Sequence, residues 1–190
     1  MKLAATLVLL LVLASPVGAV TVWDESVQGD LSSDAANPTP ITFSSELNTI
    51  TGSVGNPGGV TDRDFITFTL PTDRIVSGLV LHGLSPDNLA FLAFNSGATS
   101  FVPGAATNGS FLAGIHASDA DLDQNLMPFF VTRSVTTNAL PSPFLFGPGT
   151  YCFVIQQTSP ITQSYSLEFD VPFVLPVHPD TWGAVKALYR

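Results

Sequence analysis

The sequence predicts an all-β protein: one domain folded as a jelly-roll-like antiparallel β-sandwich. Three observations predict it. Apolar residues recur with a period of two in several runs, the spacing of a half-buried strand rather than of a helix face. The runs are separated by strong turn formers: Asn56-Pro57-Gly58-Gly59, Ser85-Pro86-Asp87-Asn88, Asn108-Gly109 and Gly147-Pro148-Gly149. The composition agrees, with 15 Gly, 15 Pro and 14 Phe against only 2 Met in 190 residues. Short strands broken at such turns favour a sandwich or barrel.

The chain divides into three parts. Residues 1–19 read as a secretory signal: Lys2 supplies the positive end, Leu3 to Ala14 the apolar stretch, Ser15-Pro16 the break, and Val17-Gly18-Ala19 the small residues of a cleavage site. The apolar stretch is shorter than the ~20 residues that cross a bilayer, and no later stretch is long enough either. Residues 20–174 form the sandwich. Residues 175–190 are a Pro-rich linker and a C-terminal sorting or docking peptide.

Within the sandwich the clearest strand is Tyr165 to Val171. Tyr165, Leu167, Phe169 and Val171 point one way, and Ser166, Glu168 and Asp170 the other. Phe65 to Leu70 also alternates, with Ile66, Phe68 and Leu70 opposed to Phe65, Thr67 and Thr69. Ile75 to Leu81, Leu89 to Phe94 and Tyr151 to Gln157 are more continuously apolar, as in strands covered on both faces. Asp24 to Pro40 reads as an extended arm over a sheet edge, anchored by Trp23. Asp119 to Pro143 reads as a long connection with one strand near Phe129 to Val135.

Composition excludes several functions. Fifteen acidic residues face six basic ones, which argues against nucleic-acid binding, a task that needs a basic stripe. The single cysteine, Cys152, sits in an apolar run and forms neither an internal disulfide nor a thiolate metal site. The chain contains no Gly-x-Ser-x-Gly, His-Glu-x-x-His, P-loop or Cys-x-x-Cys motif. His82, His116 and His178 lie in unrelated contexts. The expectation is a protein that is not an enzyme.

Several blocks occur in a telling order: Trp23-Asp24-Glu25-Ser26, Gly29-Asp30-Leu31-Ser32, Asn48-Thr49-Ile50-Thr51-Gly52-Ser53-Val54-Gly55, Asp62-Arg63-Asp64-Phe65-Ile66-Thr67-Phe68, and Gly149-Thr150-Tyr151-Cys152-Phe153 followed by Tyr165-Ser166-Leu167-Glu168-Phe169. This order resembles a group of exported bacterial proteins, many of which end in a PEP-CTERM sorting tail. The Asp-x-Asp-aromatic strand and the Gly-Thr-Tyr hairpin are also similar to bacterial pre-peptidase C-terminal (PPC-like) domains, jelly-roll sandwiches found beside secreted hydrolases. The resemblance implies a bacterial protein, secreted or at the cell surface. The Pro-Glu-Pro signature, its apolar span and its basic tail are absent here. In their place Thr181 to Arg190 is similar to short Trp-Gly-x-Ile/Val-Lys endings of other exported proteins.

The chemical candidates are few. Calcium suits the acidic clusters, because hard oxygen ligands bind it and it is available outside the cell. One cluster is Asp119-x-Asp121-x-Asp123, with Asn125; it lacks the glycine and the closing Glu of an EF-hand loop. The other is Asp62 and Asp64, joined by Asp24, Glu25 or Asp30 from the arm, with Arg63 as a competing partner and an amide-bonded turn as the alternative. In the tail, Trp182, Val185, Leu188 and Tyr189 share one helical face, which would dock either on a partner or on the sandwich itself. Phe91, Phe94 and Phe101 are weak candidates for an aromatic sugar platform, since phenylalanine favours the core. The expected function is a non-catalytic exported or cell-surface protein with a structural, adhesive or accessory binding role. Its partners would be extracellular or envelope proteins or polysaccharides. The alternative is a calcium-dependent carbohydrate- or protein-binding module accessory to secreted hydrolases.

Overall fold

The computed structural model describes residues 18–99 and 111–174. In chain order the elements are β1 (Val20–Asp24), the one-turn helix α1 (Glu25–Gln28), β2 (Thr39–Pro40), β3 (Leu47–Gly55), β4 (Arg63–Leu70), β5 (Gly78–Ser85), β6 (Leu89–Ser96), β7 (Ala113–Ser118), helix α2 (Met127–Thr132), β8 (Gly149–Gln156) and β9 (Thr162–Asp170). The strands form two packed sheets, one of four in the order β1-β3-β9-β5 and one of five in the order β2-β4-β8-β6-β7. The chain changes sheet at every step from β1 to β6, and again between β8 and β9. This winding is the expected jelly-roll-like sandwich.

The interior pairs are antiparallel, but the two outermost additions are not. β1 runs parallel to β3, and β2 runs parallel to β4. Both come from the N-terminal arm, so the arm is a strap: it adds a strand to the free edge of one sheet, crosses the seam and adds a strand to the other. Covering two edges in this way removes the unpaired backbone rows on which sheets aggregate. Leu31 and Ala35, in the crossing segment, are almost fully buried. The indole nitrogen of Trp23 donates to the carbonyl of Gly29 at 3.1 Å, which ties the strap to itself.

Strand parity sets the core. Ile66, Phe68 and Leu70 of β4 face Ile50 and Val54 of β3 and Leu167 and Phe169 of β9 in one apolar cluster between the sheets. Phenylalanine rings interlock there, with Phe146 4.5 Å from Phe94 and 4.9 Å from Tyr151. A second cluster covers the outer face of the five-stranded sheet, where Phe65, Ala93, Cys152 and Val154 meet Ala35 of the strap. That covering explains why β6 and β8 are apolar on both faces.

The connection from Asp119 to Pro143 differs from expectation. The segment from Phe129 to Val135 contains no strand; α2 occupies Met127–Thr132 instead. Pro128 stands in its first turn, a position a helix tolerates and a central strand does not. Phe130 from α2 is fully buried and packs edge-on against Phe94. The Asn108-Gly109 turn, residues 1–17 of the signal segment and the C-terminal peptide with Trp182, Val185, Leu188 and Tyr189 lie outside the described residues.

Candidate functional site

The strap places one group of carboxylates at the seam. Asp24 caps α1: its Oδ1 accepts from the amide and hydroxyl of Ser26 at 2.9 and 2.6 Å, while its own amide donates to Gln28. Gly29 ends the turn at φ 92, a conformation that favours glycine. The one-turn helix directs Glu25 inward. Glu25 Oε1 accepts from the Leu31 amide at 3.1 Å, and Oε2 from the Ser53 amide at 2.7 Å.

Asp64 reaches the same place from β4. It lies on the inward face with Ile66, Phe68 and Leu70 and is completely buried. Its Oδ2 accepts a 2.6 Å hydrogen bond from the hydroxyl of Tyr165 on β9, so the bond crosses from one sheet to the other. Its Oδ1 has no hydrogen-bond partner among the described residues. One carboxylate oxygen from each of Glu25, Asp30 and Asp64 lies within 4.8 Å of the other two. Asp62 flanks the group and accepts from the Ser33 hydroxyl at 3.0 Å.

Gly52 makes this convergence possible. It pairs directly with Tyr165 across the β3–β9 ladder. A Cβ at this position would stand 2.6 Å from the Tyr165 hydroxyl oxygen and 2.9 Å from Glu25 Oε1. The missing side chain is the space that the hydroxyl and the carboxylate occupy.

Burial dominates the electrostatics. It pushes Asp64 from the usual 3.8 up to about 9, with the charges of Glu25, Asp62 and Asp30 adding to the rise and the Tyr165 bond opposing it. Burial also raises Glu25 and Asp62, and it raises the Tyr165 hydroxyl with help from Asp64. At neutral pH Asp64 therefore holds its proton unless a cation takes the proton's place. Arg63 does not relieve the group: its side chain is on the opposite face of β4, and no ion pair joins it to Asp62 or Asp64 among the described residues. Nor do these aspartates form an amide-bonded turn, because Asp64 lies within β4 and bonds a hydroxyl.

The second acidic run does not converge. Asp121 turns inward and meets Arg133 with bonds of 2.8 and 3.0 Å, while its Oδ2 also accepts from the Ser118 amide. Arg133 holds it down at about 2, well below the ordinary carboxylate range. Asp123, at φ 58, faces His82 instead, 2.8 Å from its Nδ1. Asp119 is exposed. Alternate residues around a 3-10 turn and a left-handed residue point three ways, so the spacing of a cation loop is present without its geometry.

The remaining candidates have structural surroundings. The other ring nitrogen of His82 lies 3.7 Å from Glu168. His116 packs its ring 5.1 Å from that of Phe91. Phe94 is fully buried and Phe91 is half-buried against Phe111, so neither forms an exposed platform; Phe101 is outside the described residues. Among the described residues no helix is long and apolar enough to cross a membrane. Comparison with protein-family models, with curated proteins and with solved structures finds no match to this chain.

Proposed function

We propose that this protein is a non-catalytic, exported or cell-surface β-sandwich with a structural, adhesive or accessory binding role. The observation that carries the reading is how its reactive side chains are used. Asp121 is committed to Arg133, His82 lies between Asp123 and Glu168, His116 packs on Phe91, and Cys152 is buried behind the five-stranded sheet. Each of these side chains serves the shell. The signal-like residues 1–19, the acidic mature chain and the similarity to PEP-CTERM-associated proteins support export. A groove of about 550 Å³ supports an accessory binding role. It is lined by Ile41, Phe43, Leu70 and Arg74, with the exposed Phe173 at its rim under the Arg74 guanidinium.

Fractionation of native cells with an antibody to residues 20–174 tests this reading. The expected result is a shortened chain in the envelope or medium. Intact chain in the cytosol, or turnover on a broad panel of hydrolase substrates, would overturn it. A second reading, a calcium-dependent carbohydrate- or protein-binding module, is favoured by the convergence of Glu25, Asp30 and Asp64.

A further inference from the structure

We propose that Glu25, Asp30 and Asp64 form a calcium site that clamps the N-terminal strap to both sheets. The proposal rests on the second reading above for the identity of the ion, and it adds the residues and the mechanical role.

The geometry has the right scale. Two oxygens bound to one calcium are at most about 5.2 Å apart, twice the longest usual Ca–O distance. One carboxylate oxygen from each of Glu25, Asp30 and Asp64 lies within 4.8 Å of the other two. Proximity among acids is not by itself a site, since hydrated surface carboxylates often gather. Here the decisive group is Asp64 Oδ1, a polar oxygen on a completely buried side chain that has no hydrogen-bond partner among the described residues. A buried polar atom without a partner is costly, and a cation among these oxygens would supply one.

The surrounding residues are arranged for that occupant. The Leu31 amide fixes Oε1 of Glu25 and leaves it further capacity to accept, while the amide and hydroxyl of Ser53 both hold Oε2. Tyr165 fixes the other oxygen of Asp64. Asp30 is exposed, which leaves the cluster open to water and to an arriving ion. Gly52 contributes the room. Three carboxylates from a one-turn helix, a loop and a strand make an irregular set. Calcium tolerates such sets, whereas magnesium demands near-octahedral order and retains its waters.

Occupancy has a mechanical consequence. Glu25 and Asp30 belong to the strap, Asp64 to the five-stranded sheet, and Asp64 is bonded to Tyr165 in the four-stranded sheet. One ion would therefore bind all three parts together at the edge where the strap crosses.

The test is a calorimetric titration of purified, chelator-treated residues 20–190 with calcium chloride. It is paired with melting curves and with limited proteolysis of residues 24–40. The expected result is a dissociation constant of about 10⁻⁴–10⁻³ M, as in extracellular calcium modules. At about 10 mM calcium the Tm should rise by about 3–10 °C, and cleavage within the strap should slow. Asp30→Asn is the informative variant, because its side chain is exposed and its loss should not unfold the protein. It should bind calcium at least about tenfold more weakly while melting no lower than wild type in chelator. Absence of heat and of a Tm shift in the wild type would overturn the proposal. So would unchanged affinity in Asp30→Asn, or an equal response to magnesium. A cytosolic location would sink the exported reading without altering any of these measurements.

Discussion

The Tyr165 hydroxyl donates 2.6 Å across the interior to Asp64, the one hydrogen bond to this buried carboxyl among the described residues. Tyr165→Phe deletes the donor and leaves both oxygens of Asp64 without a partner. A buried acceptor stranded in this way costs about 1–3 kcal/mol, and urea unfolding should show that loss. The ring remains to fill the core, so the slope of the transition should be unchanged. Tyr165→Leu should cost more, because it opens a cavity as well.

Gly52→Ala isolates the space in which the cluster is built. Its Cβ would collide with the Tyr165 hydroxyl and the Glu25 carboxyl group, both at distances under 3 Å. The two side chains must retreat from each other for the methyl group to fit. Overpacking of this kind costs about 1–3 kcal/mol. The strap should also become the first site of proteolysis, since Glu25 is its inward anchor. Ser53→Ala, one residue along, retains the amide that bonds Glu25 and should cost less than about 1 kcal/mol.

Asp64 also sets a pH dependence. Its folded value of about 9 is far above the ordinary 3.8. Between these values the folded chain keeps a proton that the unfolded chain releases. The stability Asp64 contributes is therefore complete below about pH 4, declines as pH rises, and is gone above about pH 9. Glu25 and Asp62, both raised, act in the same direction. In chelator, the Tm should fall from weakly acidic toward alkaline pH, and Asp64→Asn should flatten that fall. Added calcium should restore the most stability at the alkaline end, where no proton competes.

The sheets were legible because their side-chain parity is strict. Ile66, Phe68 and Leu70 alternate with Thr67 and Thr69, and Tyr165, Leu167 and Phe169 with Ser166 and Glu168. The same parity placed Asp64 in phase with Ile66, so an inward aspartate was there to be read. Its partner was harder to find: Tyr165 is 101 residues away, and only the packing of the two sheets brings them together. β1 and β2 were less legible, because the polar strap gains its strands from free edges rather than from a pattern of its own. Around Phe129 the apolar run fits either period, and burial of Phe130 against Phe94 selected the helix. The Asp119-x-Asp121-x-Asp123 spacing misled for a related reason. Sequence spacing cannot show that Arg133 turns back from beyond α2 to claim the middle aspartate.

Phe146 tests how far the irregular segment before β8 contributes to the core. It is fully buried, and its ring meets those of Phe68, Phe94, Phe144 and Tyr151. Its backbone also bridges to Val76, which covers the edge of the four-stranded sheet beside β5. Phe146→Ala should cost about 3–5 kcal/mol, as much as a truncation inside a strand. Hydrogen exchange should quicken first at the Val76 and Phe146 amides, which bond each other's carbonyls. A loss under about 1 kcal/mol would mean that the segment lies on the core without closing it.

Arg133→Met separates a structural carboxylate from a metal-binding one. The guanidinium holds Asp121 through two bonds and lies over the Phe129 ring at 4.1 Å. Asp121 is depressed to about 2, so the stability it contributes is present above about pH 4 and lost as pH falls through 2. This is the opposite sense to Asp64, and the two effects together should place the apo protein's greatest stability in the weakly acidic range. In Arg133→Met, Asp121 loses its counter-charge but keeps the Ser118 amide. The variant should lose about 2 kcal/mol near neutral pH and less in acid, where Asp121 becomes neutral. Melting curves across the pH range read both. Calcium should not rescue the loss, since Asp119 and Asp123 do not face Asp121; rescue would show that the run had re-formed as a cation loop.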